Sequence, residues 1–368
     1  MKIVIAPDSF KGSATSQEVS QWIKSGILSV IPECETTIIP IGDGGEGTLN
    51  AVIGAGFQKI SVDVMGPSGN TVRASFGMRN DVALVELAEA SGLAVLRNNI
   101  RIPLTATSYG TGQLISSAIN HGARKIILAV GGSATTDAGA GALQALGASL
   151  KDRHGKEIGF GGAALTECAT IETDSMDPRI KDVEFILASD VTNPLTGPDG
   201  AARVYGPQKG AKPAHVIRLQ KALEHFASLA GETYSSSPGA GSAGGFGFMA
   251  LTFLGARRES GINTVLQLVE FERHLSQADL VITGEGKFDS QSLQGKAPLG
   301  ILRIASRHGV PVVLICGQSS LNSSGEFTSE FKSIRTLISL EPDKKECFKN
   351  PRPIIEKISA SIAKELIS

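Results

Sequence analysis

A two-domain α/β fold built on a parallel sheet is predicted by three features of this sequence. Apolar, Val- and Ile-rich runs of strand length recur without alternating in polarity, as strands buried on both faces require. Amphipathic helical stretches lie between several of them. Glycine-rich clusters mark the junctions, and glycine reaches 43 of 368 residues, well above the usual roughly 7%.

The apolar runs are Lys2–Ala6, Thr36–Ile41, Val82–Leu87, Lys125–Val130, Val183–Ala188, Asp279–Thr283 and Val310–Cys316. Ser16–Val30 places Val19, Trp22, Ile23, Gly26, Ile27 and Val30 on one helical face. Thr111–Asn120 does the same with Leu114, Ile115, Ala118 and Ile119, and His121-Gly122 stops it. Leu299–Arg307 repeats the arrangement before Gly309 and Pro311. The middle of the chain differs. Ser61–Gly77 reads as two strands about the turn cluster Gly66 to Asn70, Lys151–Arg179 as an insertion, and Lys221–Leu229 as helix. Pro353–Ile367 is an amphipathic terminal helix with Ile354, Ile355, Ile358, Ile362 and Leu366 on one face. Both ends therefore consist of strand–helix units. A Rossmann/flavodoxin-like parallel-sheet domain is expected from residues 1–64 plus 265–368, with a second α/β domain inserted at 65–264. The cleft between them is the expected active site.

Composition excludes several classes. With 35 Lys+Arg against 36 Asp+Glu, no broad basic surface for nucleic acid exists. No apolar run approaches the roughly 18 residues of a membrane span, and the first apolar stretch is too short for a signal peptide. Cys34, Cys168, Cys316 and Cys347 lie far apart, as reduced thiols of a cytoplasmic protein do. The six histidines show no zinc-ligand spacing. A G-x-S-x-G elbow, a Walker A sequence and the protein-kinase set are all missing.

Chemistry-bearing residues gather where strands end. Asp8, Ser9 and Lys11 follow the first strand; Gly42-Asp43-Gly44-Gly45-Glu46-Gly47 follows the second. The acids of that glycine loop suit a Mg²⁺–phosphate or hydroxyl-rich ligand better than a bare pyrophosphate. Gly131-Gly132-Ser133-Ala134-Thr135-Thr136-Asp137 leaves a strand and enters a small-residue helix, whose free N–H groups are expected to cradle an anion. Asp190 and Asn193 follow another strand, and Lys209 sits between turn residues. Thr283-Gly284-Glu285-Gly286 is expected as a turn after a further strand, with Asp289 and Lys296 downstream. Carboxylates, lysines and anion cradles, without zinc ligands or a nucleophile–His pair, fit phosphoryl transfer, which works by positioning and charge neutralisation. Asp190 is favoured as base, with Asp8 as a second catalytic acid and Lys11 and Lys209 as catalytic charges. Ser9, Asn193 and Lys296 are assigned to substrate. Gly131, Gly132, Ser133, Thr135, Gly239, Gly241 and Glu285 are assigned to nucleotide, and Asp43 and Asp289 to metal.

Several long strings, in order over about the first 320 residues, resemble the bacterial two-domain, non-P-loop glycerate kinase family. They include Ala6-Pro7-Asp8-Ser9-Phe10-Lys11-Gly12, Pro40 to Thr48, Thr107 to Gly112, Asn193 to Gly197, Tyr205 to Gly210, Pro238 to Gly241 and Ile282 to Gly286. The resemblance implies ATP- and Mg²⁺-dependent phosphorylation of D-glycerate, at the 2-hydroxyl in preference to the 3-hydroxyl. Ala138 stands where glycine is expected, and Tyr205 where the family often has Phe. Phosphorylation of another small hydroxy acid, or a non-catalytic small-acid sensor on the same fold, are the rival readings. The expected partners are small molecules, glycerate and ATP, without nucleic acid or membrane; a homodimer is left open.

Overall fold

The computed structural model describes residues 1–368 except 43, 46, 97, 99, 290, 291, 293–295 and 322–327. Its strands are β1 (Lys2–Pro7), β2 (Glu35–Ile38), β3 (Gln58–Met65), β4 (Thr71–Arg79), β5 (Val82–Glu86), β6 (Lys125–Ala129) and β7 (Ser149–Asp152). The remainder are β8 (Cys168–Glu172), β9 (Glu184–Ala188), β10 (Arg257–Glu259), β11 (Leu280–Phe288), β12 (Val312–Ser319) and β13 (Ser333–Thr336). They divide between two compact units. One comprises Met1–Asp43, Asn50–Ala55 and Ile262–Ser368; the other comprises Gly44–Leu49 and Gly56–Gly261.

The first unit holds a five-stranded sheet in the order β13-β12-β11-β1-β2, and every pairing in it is parallel. Strands from both ends of the chain thus interleave, as the sequence pattern predicts. Ile3, Val4, Ile5 and Ala6 of β1 are fully buried, because helices cover both faces. Ser16–Leu28 and Pro351–Ile367 pack Ile23, Ile27, Ile355 and Ile358 against Ile3, Ile5 and Ile282. Ala297–Arg307 packs on β1, β11 and β12. The first helix starts where Thr15 and Glu18 form a reciprocal capping box.

Two of the departures from the expected strand bounds have a local reason. β2 ends at Ile38 rather than Ile41, since Pro40 has no N–H to donate to a ladder. β11 runs through Gly284-Glu285-Gly286 to Phe288, so this stretch is strand and not the expected turn. Its glycine is steric: a Cβ at Gly284 would lie 2.6 Å from the Ile315 carbonyl oxygen of the neighbouring strand.

The second unit holds a mixed six-stranded sheet, β10-β9-β6-β5-β4-β3. β5, β6, β9 and β10 are parallel neighbours, while β3, β4 and β5 form an antiparallel meander. The stretch read as an insertion folds as the small antiparallel pair β7–β8. Phe76, Val85, Leu128, Phe185, Leu223, Phe226, Phe246 and Phe248 belong to one continuous core. Among the described residues no helix is long and apolar enough to cross a membrane. All four cysteines are free and buried.

Gly26 lets the first and last helices close on each other. A Cβ there would meet the Glu356 carbonyl and lie 2.6 Å from Ser359 Cβ. Gly26→Ala should therefore destabilise the protein by about 1–3 kcal/mol. Ser25→Ala, on the exposed side of the same helix, should stay within about 0.5 kcal/mol of wild type. Urea unfolding of the two variants checks this; equal midpoints would contradict it.

Candidate active site

In the second unit the ends of β5, β6 and β9 bring three loops together. After β6 the chain turns at Gly131-Gly132, with Gly132 exposed and at φ +71. The Gly131 N–H donates to the Gly44 carbonyl at 3.3 Å, and a Cβ on Gly131 would strike Gly45 Cα. Gly131 is thus required by backbone-to-backbone contact with the other motif. Gly44, at φ +82, in turn has the Ala188 carbonyl at the end of β9 beside it. Glu86, the last residue of β5 and 3% exposed, accepts from Gly47 N–H at 3.1 Å and Leu49 N–H at 2.8 Å. The sequence reading missed Glu86, a carboxylate inside the apolar run Val82–Leu87 whose partners lie 39 and 37 residues away in the chain.

The same reading expected free N–H groups at the start of the helix after Gly139. That helix, Ala140–Ala145, has only six residues, and its donors already have partners. Asp137, fully buried, accepts from Ser108 N–H and Ser108 Oγ, both at 2.8 Å. It also accepts from Gly139 N–H at 3.2 Å and Gly141 N–H at 3.4 Å. The Ala142 N–H goes to Ser108 Oγ at 3.0 Å. An internal carboxylate therefore occupies the position expected for an external anion, and Asp137 was absent from the expected site set. Burial pushes its carboxyl above the usual range, against the pull of these donors.

Lys209 lies in the same interior, 3% exposed. Its Nζ donates to the Thr135 carbonyl at 2.5 Å and to Ser133 Oγ at 3.3 Å. Burial pushes the ammonium down to about 7, while the Asp137 carboxylate acts to raise it. The Gly239–Gly245 stretch locks onto this loop from another side. Ser133 Oγ and Thr135 Oγ1 reach the Ala243 carbonyl at 3.3 and 3.5 Å, and Ala138 N–H donates to the Gly244 carbonyl at 3.1 Å. Ala243, Gly244 and Gly245 all have positive φ, and a Cβ at Gly245 would lie 2.8 Å from Ala138 Cα. Ala138 itself is left-handed at φ +53, which explains the expectation of glycine there. Gly241 packs on the Pro194 carbonyl, so its glycine serves packing.

Asp190 is half-buried just past β9. Its Oδ1 accepts from Ser260 Oγ at 2.8 Å and Gly261 N–H at 3.0 Å. Asn193 donates to the Asp199 carbonyl at 2.8 Å and accepts from the Tyr205 hydroxyl at 2.6 Å. Tyr205 in place of Phe therefore holds an expected site residue rather than being neutral.

In the first unit, Asp8 and Glu285 follow register partners Pro7 and Gly284 of adjacent strands. Asp8 N–H donates to the Gly284 carbonyl at 2.8 Å, and its Oδ1 accepts from Ser9 N–H at 2.6 Å. Glu285 is 6% exposed, whereas Lys11 is exposed. Asp289 pairs with Lys287 at 2.8 Å. Lys296 is the residue before the helix Ala297–Arg307, with no side-chain capping bond to it. Asp43 lies outside the described residues. Among the described residues no group of three or more metal-ligating side chains forms.

Lys209 has a signature in stability. Its folded value lies below that of an unfolded lysine, near 10.4, so the unfolded chain holds the extra proton at pH values between the two. Stability must rise with pH across that window, and the penalty is fully present below about 7. Wild type relative to Lys209→Met should gain unfolding free energy from pH 7 to 10 in chemical denaturation; a flat difference would contradict the buried amine.

The chain matches the model of the glycerate kinase family over residues 3–367. It is 42% identical over 370 residues to a glycerate kinase of Bacillus subtilis (strain 168), covering 99% of this chain and 97% of that protein. It is 46% identical over 325 residues to a glycerate 2-kinase of Escherichia coli (strain K12), covering 86% and 85%. A crystal structure from Salmonella typhimurium LT2, described as a candidate glycerate kinase 2, superposes with a TM-score of 0.84 at 39% identity, covering 100% of this chain and 98% of that one. With near full-length matches in sequence and structure, this chain belongs to the glycerate kinase family.

Proposed function

We propose that this protein transfers the γ-phosphoryl group of ATP to the 2-hydroxyl of D-glycerate. The reading is supported most by the joined glycine turns at Gly44–Gly45 and Gly131–Gly132, a backbone surface suited to phosphate, together with the E. coli relative named for 2-phosphorylation. The nucleotide is assigned to the Gly131–Gly132 side of the turn, with Ser133 and the fully buried Thr135 fastening it from inside, Gly239 and Gly241 shaping the loop behind them, and Glu285 contributing a polar group.

Phosphoryl transfer needs a base for the attacking hydroxyl and positive charge for the phosphate oxygens. Asp190 is the base: its Oδ1 is fixed by Ser260 and Gly261, which orients the carboxylate towards one proton acceptance geometry. Ser9 and Asn193 are assigned to orient glycerate, and Asp8 is the second catalytic acid. Lys11 and Lys296 bring positive charge to the carboxylate and phosphoryl groups, and Lys209 acts through the loop it holds. Oxygen donors suit Mg²⁺, which takes one or two carboxylates plus phosphate oxygens and keeps waters. Asp43 and Asp289 are the carboxylates that would hold the ion, Asp289 being paired with Lys287. When bound, the ion neutralises charge on the phosphates. A cytoplasmic location goes with soluble substrates of this kind.

A coupled ADP-release assay with D- and L-glycerate tests the activity, with D-glycerate turned over and the product identified as 2-phosphoglycerate. Formation of 3-phosphoglycerate would replace the regiochemistry, and no turnover with either acid would remove the reading. Excess EDTA should abolish turnover. Asp190→Asn should lower kcat by roughly 10²-fold or more with near-normal substrate binding; near-normal turnover would move the base to Asp8 or Asp43. Lys11→Ala and Lys296→Ala should each lower kcat/KM by at least about tenfold.

A further inference from the structure

We infer that Lys209 is a positioning residue for the nucleotide, fixing from inside the protein the Gly131–Thr135 turn that receives the phosphates. The inference rests on the ATP-dependent reading above and assigns Lys209 a role within it. Three observations carry it.

First, the ammonium is turned inward. At 3% exposure its donors go to the Thr135 carbonyl and Ser133 Oγ, both parts of the protein. A lysine in contact with the transferring group would present its donors at the surface. Second, the groups it holds are themselves the fasteners of the turn. Ser133 Oγ also bonds Thr135 Oγ1 at 3.1 Å and accepts from Thr135 N–H at 3.1 Å, and it reaches across to the Ala243 carbonyl. Removing the ammonium leaves a buried carbonyl without its charged donor, which the loop must rearrange to satisfy.

Third, the outer side of the turn is left for a ligand. Gly132 is exposed, and among the described residues the N–H groups of Gly132 and Ser133 donate to no protein acceptor. Two glycines in succession give a backbone free to move, so aimed donors need a support underneath. Lys209 supplies it together with Asp137, whose carboxylate fixes the far end of the same loop through Gly139 and Gly141. The turn is thereby preorganised for an anion before one arrives.

Steady-state kinetics of the full chain with Mg²⁺–ATP and D-glycerate separate the roles. A positioning lysine predicts that Lys209→Met raises KM for ATP by at least about tenfold, with kcat at saturating ATP within about threefold of wild type and KM for glycerate unchanged. Calorimetric binding of ADP should weaken in parallel. Ser133→Ala, which removes one acceptor of Lys209 and the link to Ala243, should move the same constants in the same direction by a smaller factor. A roughly 10²-fold loss of kcat with KM for ATP unchanged would make Lys209 a catalytic residue and overturn the inference, as would wild-type constants in both variants. Should Lys209→Met fail to fold, Ser133→Ala with unaltered ADP affinity overturns it alone. Wild-type turnover decides the functional reading separately, since absence of ATP-dependent phosphorylation there would be seen before any variant is made.

Discussion

A carboxylate without solvent organises the second unit. Asp137 gathers the N–H groups of Ser108, Gly139 and Gly141 and the Ser108 hydroxyl, and so joins the start of one helix to the start of another. A buried charge is tolerable only with such a set of donors and an opposite charge nearby. Lys209 is that opposite charge, and through Thr135 and Ser133 it extends the same network to the Gly131–Gly132 turn. The two buried ionisable groups are thus one device with two ends, one holding the entry to a helix and the other a loop.

Around that device the chain accepts backbone conformations that side chains disfavour. Ala138 and Ala243 are both left-handed, each at a cost of roughly 1–2 kcal/mol. They occur where the two stretches bond to each other, Ala138 to the Gly244 carbonyl and Ala243 to the hydroxyls of Ser133 and Thr135. Gly244 and Gly245 share the left-handed conformation without that cost, and their missing side chains let Thr136 and Ala138 approach. The glycines at 244 and 245 are explained by this packing.

Much of the fold could be read from the residues. The uninterrupted apolar runs of β1, β6, β9 and β12 announce strands covered on both faces, and the apolar stripes of Ser16–Leu28 and Pro351–Ile367 announce the helices that cover them. The polar site was less legible. Asp190 and Lys209 stand out because they follow a strand or sit among turn residues. Asp137 and Glu86 matter as much, yet nothing local distinguishes an acid that caps a distant loop from one that faces solvent. Their partners, Ser108 and Gly47, lie 29 and 39 residues away in the chain. Gly284 misled for a related reason: glycine signals a turn to a local reading, while here it lets two strands close on each other. Spatial neighbours, which one sequence does not display, decide such cases.

The order of the parallel sheet in the first unit bears on how the chain is made. β1 is an interior strand, flanked by β2 and β11, and its Ala6 carbonyl accepts from the Thr283 hydroxyl across 277 residues of sequence. At the roughly 5–20 residues per second of synthesis, that separation is about 15 s to a minute. Throughout this interval a strand with Ile3, Val4, Ile5 and Ala6, all destined for zero exposure, has only the short β2 as a sheet neighbour. The second unit can fold in the meantime, since its strands lie entirely between these two appointments. The nascent chain therefore carries an apolar segment with an unpaired edge through most of its own translation, and this is the stage at which a chaperone has most to offer it.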